Sequence, residues 1–155
     1  MTKDVLISIS GLHMELFEGV TEDGEELVEI VTPASYYKKN GKHYILYDEI
    51  IEGIPGTIQN KVKISGTDTL EIMKSGLSNA HMIFEKNKKN LTYYETPFGQ
   101  MLVAVNTKKM EVTVTDQRID VLVDYELDIN HEPLADCKIR MNITAKRGGD
   151  LITEQ

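Results

Sequence analysis

From Ile119 onward the chain alternates between apolar and polar residues. Ile119, Val121, Val123, Tyr125, Leu127 and Ile129 are separated by Asp120, Asp124, Glu126 and Asp128, with Leu122 the one exception. Ala135, Cys137, Ile139, Met141, Ile143 and Ala145 alternate in the same way with Asp136, Lys138, Arg140, Asn142 and Thr144. Successive side chains of a strand point to opposite faces, so each stretch carries one apolar and one polar face. A helix would scatter both sets around its circumference. Asn130-His131-Glu132-Pro133 lies between them and has the composition of a turn, with the proline expected to end the pairing. The two stretches predict a long hairpin of about eleven residues a side at about 3.3 Å per residue.

Shorter alternations precede it. Met101, Val103 and Val105 predict one strand, and Met110, Val112 and Val114 another. Further strands are expected at Val5 to Ser10, Leu27 to Thr32, Tyr44 to Tyr47, Ile58 to Ile64, Leu70 to Lys74, His81 to Lys86 and Leu91 to Thr96. Asp23-Gly24, Asn40-Gly41, Ser65-Gly66, Asn87 to Asn90 and Pro97-Phe98-Gly99 punctuate them as turns. Met14 to Val20 and Asp48 to Gly56 fit a strand or a helical turn. No long helical period and no alternation of helix with strand is present. The chain is therefore expected to be all-β. Strands in sequence order, apolar on one face, close most simply into a single antiparallel up-and-down β-barrel of about 8–10 strands, because closure removes exposed edges. A sandwich is the alternative. Residues 1–147 are assigned to the barrel and 148–155 to a flexible tail.

Composition narrows the partners. The 155 residues include 17 basic and 25 acidic side chains, a formal charge of −8. Phosphate backbones repel such a surface, so no nucleic acid is expected as a partner. The lysines at Lys38-Lys39, Lys86 to Lys89 and Lys108-Lys109 are read as the tips of hairpin turns. The single cysteine, Cys137, rules out an intramolecular disulfide and lies on the apolar face of its strand, where an inert core role is expected. No run of apolar residues is long enough for a membrane helix, and no leader pattern is present, so a cytoplasmic location away from membranes is expected.

Catalytic and metal-binding signatures are absent. His13, His43, His81 and His131 stand at no metal-ligand spacing. His43 and His131 are read as exposed at turns, and His81 as inside the barrel or at its rim. Asp48, Glu49 and Glu52 sit close together, and solvated loop charge explains them as well as acid/base pairing does. There is no nucleophile elbow and no phosphate-binding loop. No cofactor or metal is expected, and an enzyme is the least favoured class. Two polar residues interrupt apolar rows instead: Asn60 in Ile58, Asn60, Val62, Ile64, and Lys74 after Leu70 and Ile72. If these rows face inward, Asn60 and Lys74 point into the barrel, and a buried lysine requires a carboxylate, a phenol or a ligand. Tyr125 on the inward row and Tyr47 complete the expected ligand-lining set.

Several short pieces, taken together, also resemble a known family. They are Tyr36 to Gly41, Tyr44 to Glu49, Met73-Lys74-Ser75-Gly76, Met82-Ile83-Phe84-Glu85, Thr96-Pro97-Phe98-Gly99, and Ile119-Asp120 with Tyr125-Glu126-Leu127. In order and spacing they resemble the YwiB-like bacterial proteins, from about Val5 to Ala145. The resemblance implies a calycin or lipocalin-like barrel and no catalytic residues. This chain departs from the family where arginine is expected at Lys74 and threonine at Asn60. The expected function is binding of a small molecule, anionic or amphipathic. The alternative is a packed structural or protein-interaction domain. The sequence leaves the oligomeric state open, a homodimer included.

Overall fold

The computed structural model describes residues 3–11 and 29–146. Ten strands run through them: β1 (Lys3–Ser10), β2 (Glu29–Lys39), β3 (Lys42–Ile51), β4 (Ile54–Ser65), β5 (Thr69–Gly76), β6 (Ala80–Glu85), β7 (Lys88–Thr96), β8 (Gly99–Val114), β9 (Arg118–Ile129) and β10 (Glu132–Ala145). All form one antiparallel sheet in the order β6-β5-β4-β3-β2-β1-β10-β9-β8-β7. The chain meanders from β1 to β6 and again from β7 to β10, and the pairing of β1 with β10 joins the two halves. The free ends of the sheet, β6 and β7, meet at a seam. Asn79 and Glu95 exchange main-chain hydrogen bonds there, at 2.8 and 2.9 Å. The Asn90 side-chain amide donates to the Ile83 carbonyl at 3.0 Å. The result is a nearly closed antiparallel barrel.

The long hairpin forms as expected, with Cys137 opposite Tyr125 and Ile139 opposite Val123. Its turn is Asn130-His131, both residues at positive φ. Pairing does not end at the proline: Pro133 pairs with Asp128, and a bulge before Ala135 absorbs the irregularity. The two strands expected around Met101 and Met110 are one strand, β8. Its alternation shifts phase because a bulge between Thr107 and Lys109 inserts a residue. Lys108-Lys109 therefore sits in mid-strand and not at a hairpin tip. Asp48 to Gly56 holds no helical turn; β3 runs to Ile51 and β4 begins at Ile54. Met14 to Val20, His13, Leu27 and the tail lie outside the described residues.

Inward residues of every strand fill the barrel. Ile7, Ile45, Ile64, Ile72, Phe84, Ile119, Val123 and Ile139 are all fully buried. Phe84 of β6 and Tyr125 of β9 meet edge to face across the interior, with ring centroids 5.0 Å apart and planes at 72°. At that level the barrel is packed. Cys137 is buried among the same residues.

The register of β10 yields a direct test. Ile139 is fully buried, and Lys138 beside it is exposed and 3.6 Å from Asp124. Ile139→Ala should cost about 2–5 kcal/mol, and Lys138→Ala under about 0.5 kcal/mol. Denaturant melts giving equal costs, or the reverse order, would show that the register is wrong.

Candidate functional site

The site begins with a proline. Asn40 and Gly41 have φ of 54° and 78°, the backbone of a two-residue hairpin turn whose closing pair is hydrogen-bonded. That pair is Lys39 and Lys42. Hydrogen-bonded pairs then recur at every second residue, at Tyr37–Tyr44 and Ser35–Leu46. The next residue of β2 in that phase is Pro33, which has no N–H to donate. The ladder stops at Ser35. Beyond it, β2 continues against β1 alone and β3 against β4 alone, so the two strands part. A cleft of about 650 Å³ occupies the fork. Thr32, Pro33 and Ala34 line one wall, Tyr47 and Asp48 the other, and Asn60 the base, with Asp4 and Lys146 also bordering it.

Behind the cleft is a buried polar cluster. Tyr47 pairs with Asn60, Asn60 with Lys74 and Lys74 with Ala80, one continuous cross-strand row facing inward. The Lys74 ammonium donates to Glu49 Oε1 at 2.7 Å and to Asn60 Oδ1 at 2.7 Å. Asn60 Nδ2 donates to the same Glu49 oxygen at 2.8 Å. The three side chains close a ring of hydrogen bonds. The Lys74 side chain is 1% exposed and that of Glu49 17%. Burying the ammonium alone would be strongly unfavourable, and the carboxylate offsets that cost. Glu49 Oε2 accepts no hydrogen bond from the described residues, which leaves one acceptor of negative character.

Of the four residues expected to line a ligand site, Tyr47 and Asn60 do border the cleft. Lys74 stands one hydrogen bond behind them. Tyr125 belongs elsewhere: it packs on Phe84, four residues along β6 from the Ala80 that pairs with Lys74, and its hydroxyl donates to the Gly11 carbonyl at 3.3 Å. Glu49, which solvated loop charge and acid/base pairing explain equally well in the sequence, is an inward residue of β3. Following the row His43, Ile45, Tyr47 two residues further reaches it.

The histidines are placed differently from expectation as well. His43 is buried, not exposed, and stacks on Tyr36, whose hydroxyl lies 2.8 Å from its Nδ1. Burial pushes the Tyr36 phenol up to about 12. Burial, and to a lesser degree Lys38, lowers His43 below its usual range. His81 is on the outer face, 2.7 Å from Glu71, and His131 is exposed in its turn. Among the described residues no group of three His, Cys, Asp or Glu side chains could hold a metal ion. No helix there is long and apolar enough to cross a membrane.

A family profile described as a domain of unknown function, DUF1934, matches residues 14–141. The chain belongs to this family. It is similar to the uncharacterized beta-barrel protein YwiB of Bacillus subtilis (strain 168), 25% identical over 114 residues that span 73% of this chain and 78% of the relative. The crystal structure of the Bacillus subtilis ywiB protein superposes with a TM-score of 0.73, covering 93% of this chain and 92% of that one at 17% identity. That likeness is one of fold. The DUF1934 barrel thus agrees with the architecture built from the strand pattern, and its description assigns no chemistry to Asn60, Lys74 or Glu49.

The ring of hydrogen bonds makes a measurable claim. Lys74→Met should destabilise the protein by about 2–4 kcal/mol, because it leaves Glu49 without its cation. Adding Glu49→Leu to that variant should recover most of the loss. Additive losses in a denaturant double-mutant cycle would mean that the two side chains are not coupled.

Proposed function

We propose that the protein is a non-catalytic binding barrel and that its ligand sits in the fork between β2 and β3. The observation that carries this reading is Asn60. It is 2% exposed, borders the cleft, and bonds both members of the Lys74–Glu49 pair. A cleft of about 650 Å³ lies within the range of small-molecule sites, about 300–1,000 Å³, and Asn60 gives it a fixed polar group of the kind that orients a ligand. A calycin-like mode of binding, by a barrel that presents one polar end to its ligand, fits this arrangement. The described residues of the site set no nucleophile next to a base, and the Lys74 ammonium behind it already has its counter-charge.

The ligand class differs from the first expectation. Lys74 has its counter-charge in Glu49, so it does not require an anion. Asp48 and Asp4 border the cleft against Lys146 alone. A ligand that donates hydrogen bonds or carries positive charge suits these groups. The packed level at Phe84 and Tyr125 favours a second reading, in which the interior is only structural and the outer surface does the binding.

Chemical-shift mapping with a fragment library separates the two. Amine and amide fragments should shift the Asn60 side-chain amide and the Ser35 and Asp48 backbone signals, and should bind at least about tenfold more tightly than carboxylate analogues, about 1.4 kcal/mol. Shifts confined to outer-face residues away from the fork would favour the packed-barrel reading.

A further inference from the structure

The phase of the β2–β3 ladder also says which main-chain groups face the fork. On β3, Leu46 and Tyr44 turn their N–H and C=O to β2, while Tyr47 and Glu49 turn theirs to Asn60 and Ile58 of β4. Asp48 and Ile50 therefore face the fork, as do Val31 and Glu29 of β2 and the Pro33 carbonyl. The pairing of β2 with β3 stops at Ser35 and Leu46 and does not reach them. Unpaired sheet edges of this kind are templates for another strand. Two of the most exposed large apolar side chains flank the fork on the outer face, Ile50 at 76% and Val31 at 61%. Carboxylates outnumber cations around it: Asp48 and Glu49 on β3, Glu52 in the next turn, Glu29 on β2 and Asp4 on β1, against Lys146 at the cleft, Lys61 opposite Leu46 and the already paired Lys74.

We infer that the fork accepts a short extended peptide, basic in character, which adds as a strand to the open edge of β3. This rests on the fork being the binding site, and it names the class of ligand. The main-chain groups of Asp48 and Ile50 supply the pairing. Strand addition takes its affinity from such main-chain bonds and its specificity from alternate side chains. Alternation sends one set of peptide side chains inward, toward Tyr47 and Glu49, and the other set outward, between Val31 and Ile50. The carboxylates select lysine or arginine.

The probe is a blocked hexapeptide of alternating lysine and valine, titrated into the isotope-labelled full chain. Its controls are two analogues N-methylated on alternate residues, one for each register, and a glutamate-for-lysine analogue. The Asp48 and Ile50 amide signals should shift on addition of the basic peptide. One N-methylated analogue and the glutamate analogue should each bind at least tenfold more weakly. Ile50→Pro removes an edge donor but none of the bonds to β4, so it should cut binding at least tenfold with the melting temperature little changed. The N-methylated analogues need no variant, and they decide the matter if Ile50→Pro does not fold. Equal binding by both N-methylated analogues and the parent, or no shift at Asp48 and Ile50 at millimolar peptide, would overturn strand addition. Small amine fragments that still shift Asn60 would then leave the fork standing as a binding site. The failure of fragments and peptide alike at the fork would remove both.

Discussion

A strand that pairs on both sides must offer an N–H to each neighbour at every second residue. β2 cannot do this toward β3 at Pro33, because the ring nitrogen carries no hydrogen. The hairpin turn at Asn40-Gly41 sets the phase of the ladder, and that phase brings the proline to a position where a donor is required. Toward β1 the same residue costs nothing, since its nitrogen faces away and the pairing of Pro33 with Leu6 persists. One missing hydrogen thus opens the barrel on one side only. Most of what distinguishes this barrel from a simply filled one follows from that fork.

The fork explains why a charged pair is tolerated inside. At the level of Phe84 and Tyr125 the interior is packed, Thr107 and Tyr125 supply its polar groups, and an ammonium there would meet no buried carboxylate among the described residues. At the level of Asn60 the wall is parted, and Glu49 retains partial contact with water at 17% exposure. Lys74 can then be held almost fully buried by two short hydrogen bonds, each to a group that is itself braced. The pair lends the base of the cleft rigidity and leaves its net charge near neutral. Recognition passes to the rim carboxylates and the open strand edges.

Much of this was legible in the sequence. The alternation from Ile119 to Ala145 revealed the long hairpin, and the inward direction of Asn60 and Lys74 followed from their rows. The sequence pattern failed where it depends on a neighbour. The bulge at Lys108 hid a single strand as two, because an inserted residue resets the period of two without any change in composition. His43 was read as exposed because it follows a turn, yet it faces inward opposite Ile64 at the end of the β3–β4 ladder and is covered by Tyr36. Glu49 was missed as the partner of Lys74 because the two are 25 residues apart and meet only across β4. Pro33 drew no attention, since its effect depends on the phase of a ladder set seven residues away.

Amide hydrogen exchange along β3 tests the central claim most directly. If the ladder ends where Pro33 lacks its donor, protection should alternate beyond Leu46. The Tyr47 and Glu49 amides, bonded to β4, should exchange slowly, and the Asp48 and Ile50 amides, facing the fork, should exchange at nearly unprotected rates. Equal protection at all four positions would mean that the edge is covered and would contradict the account.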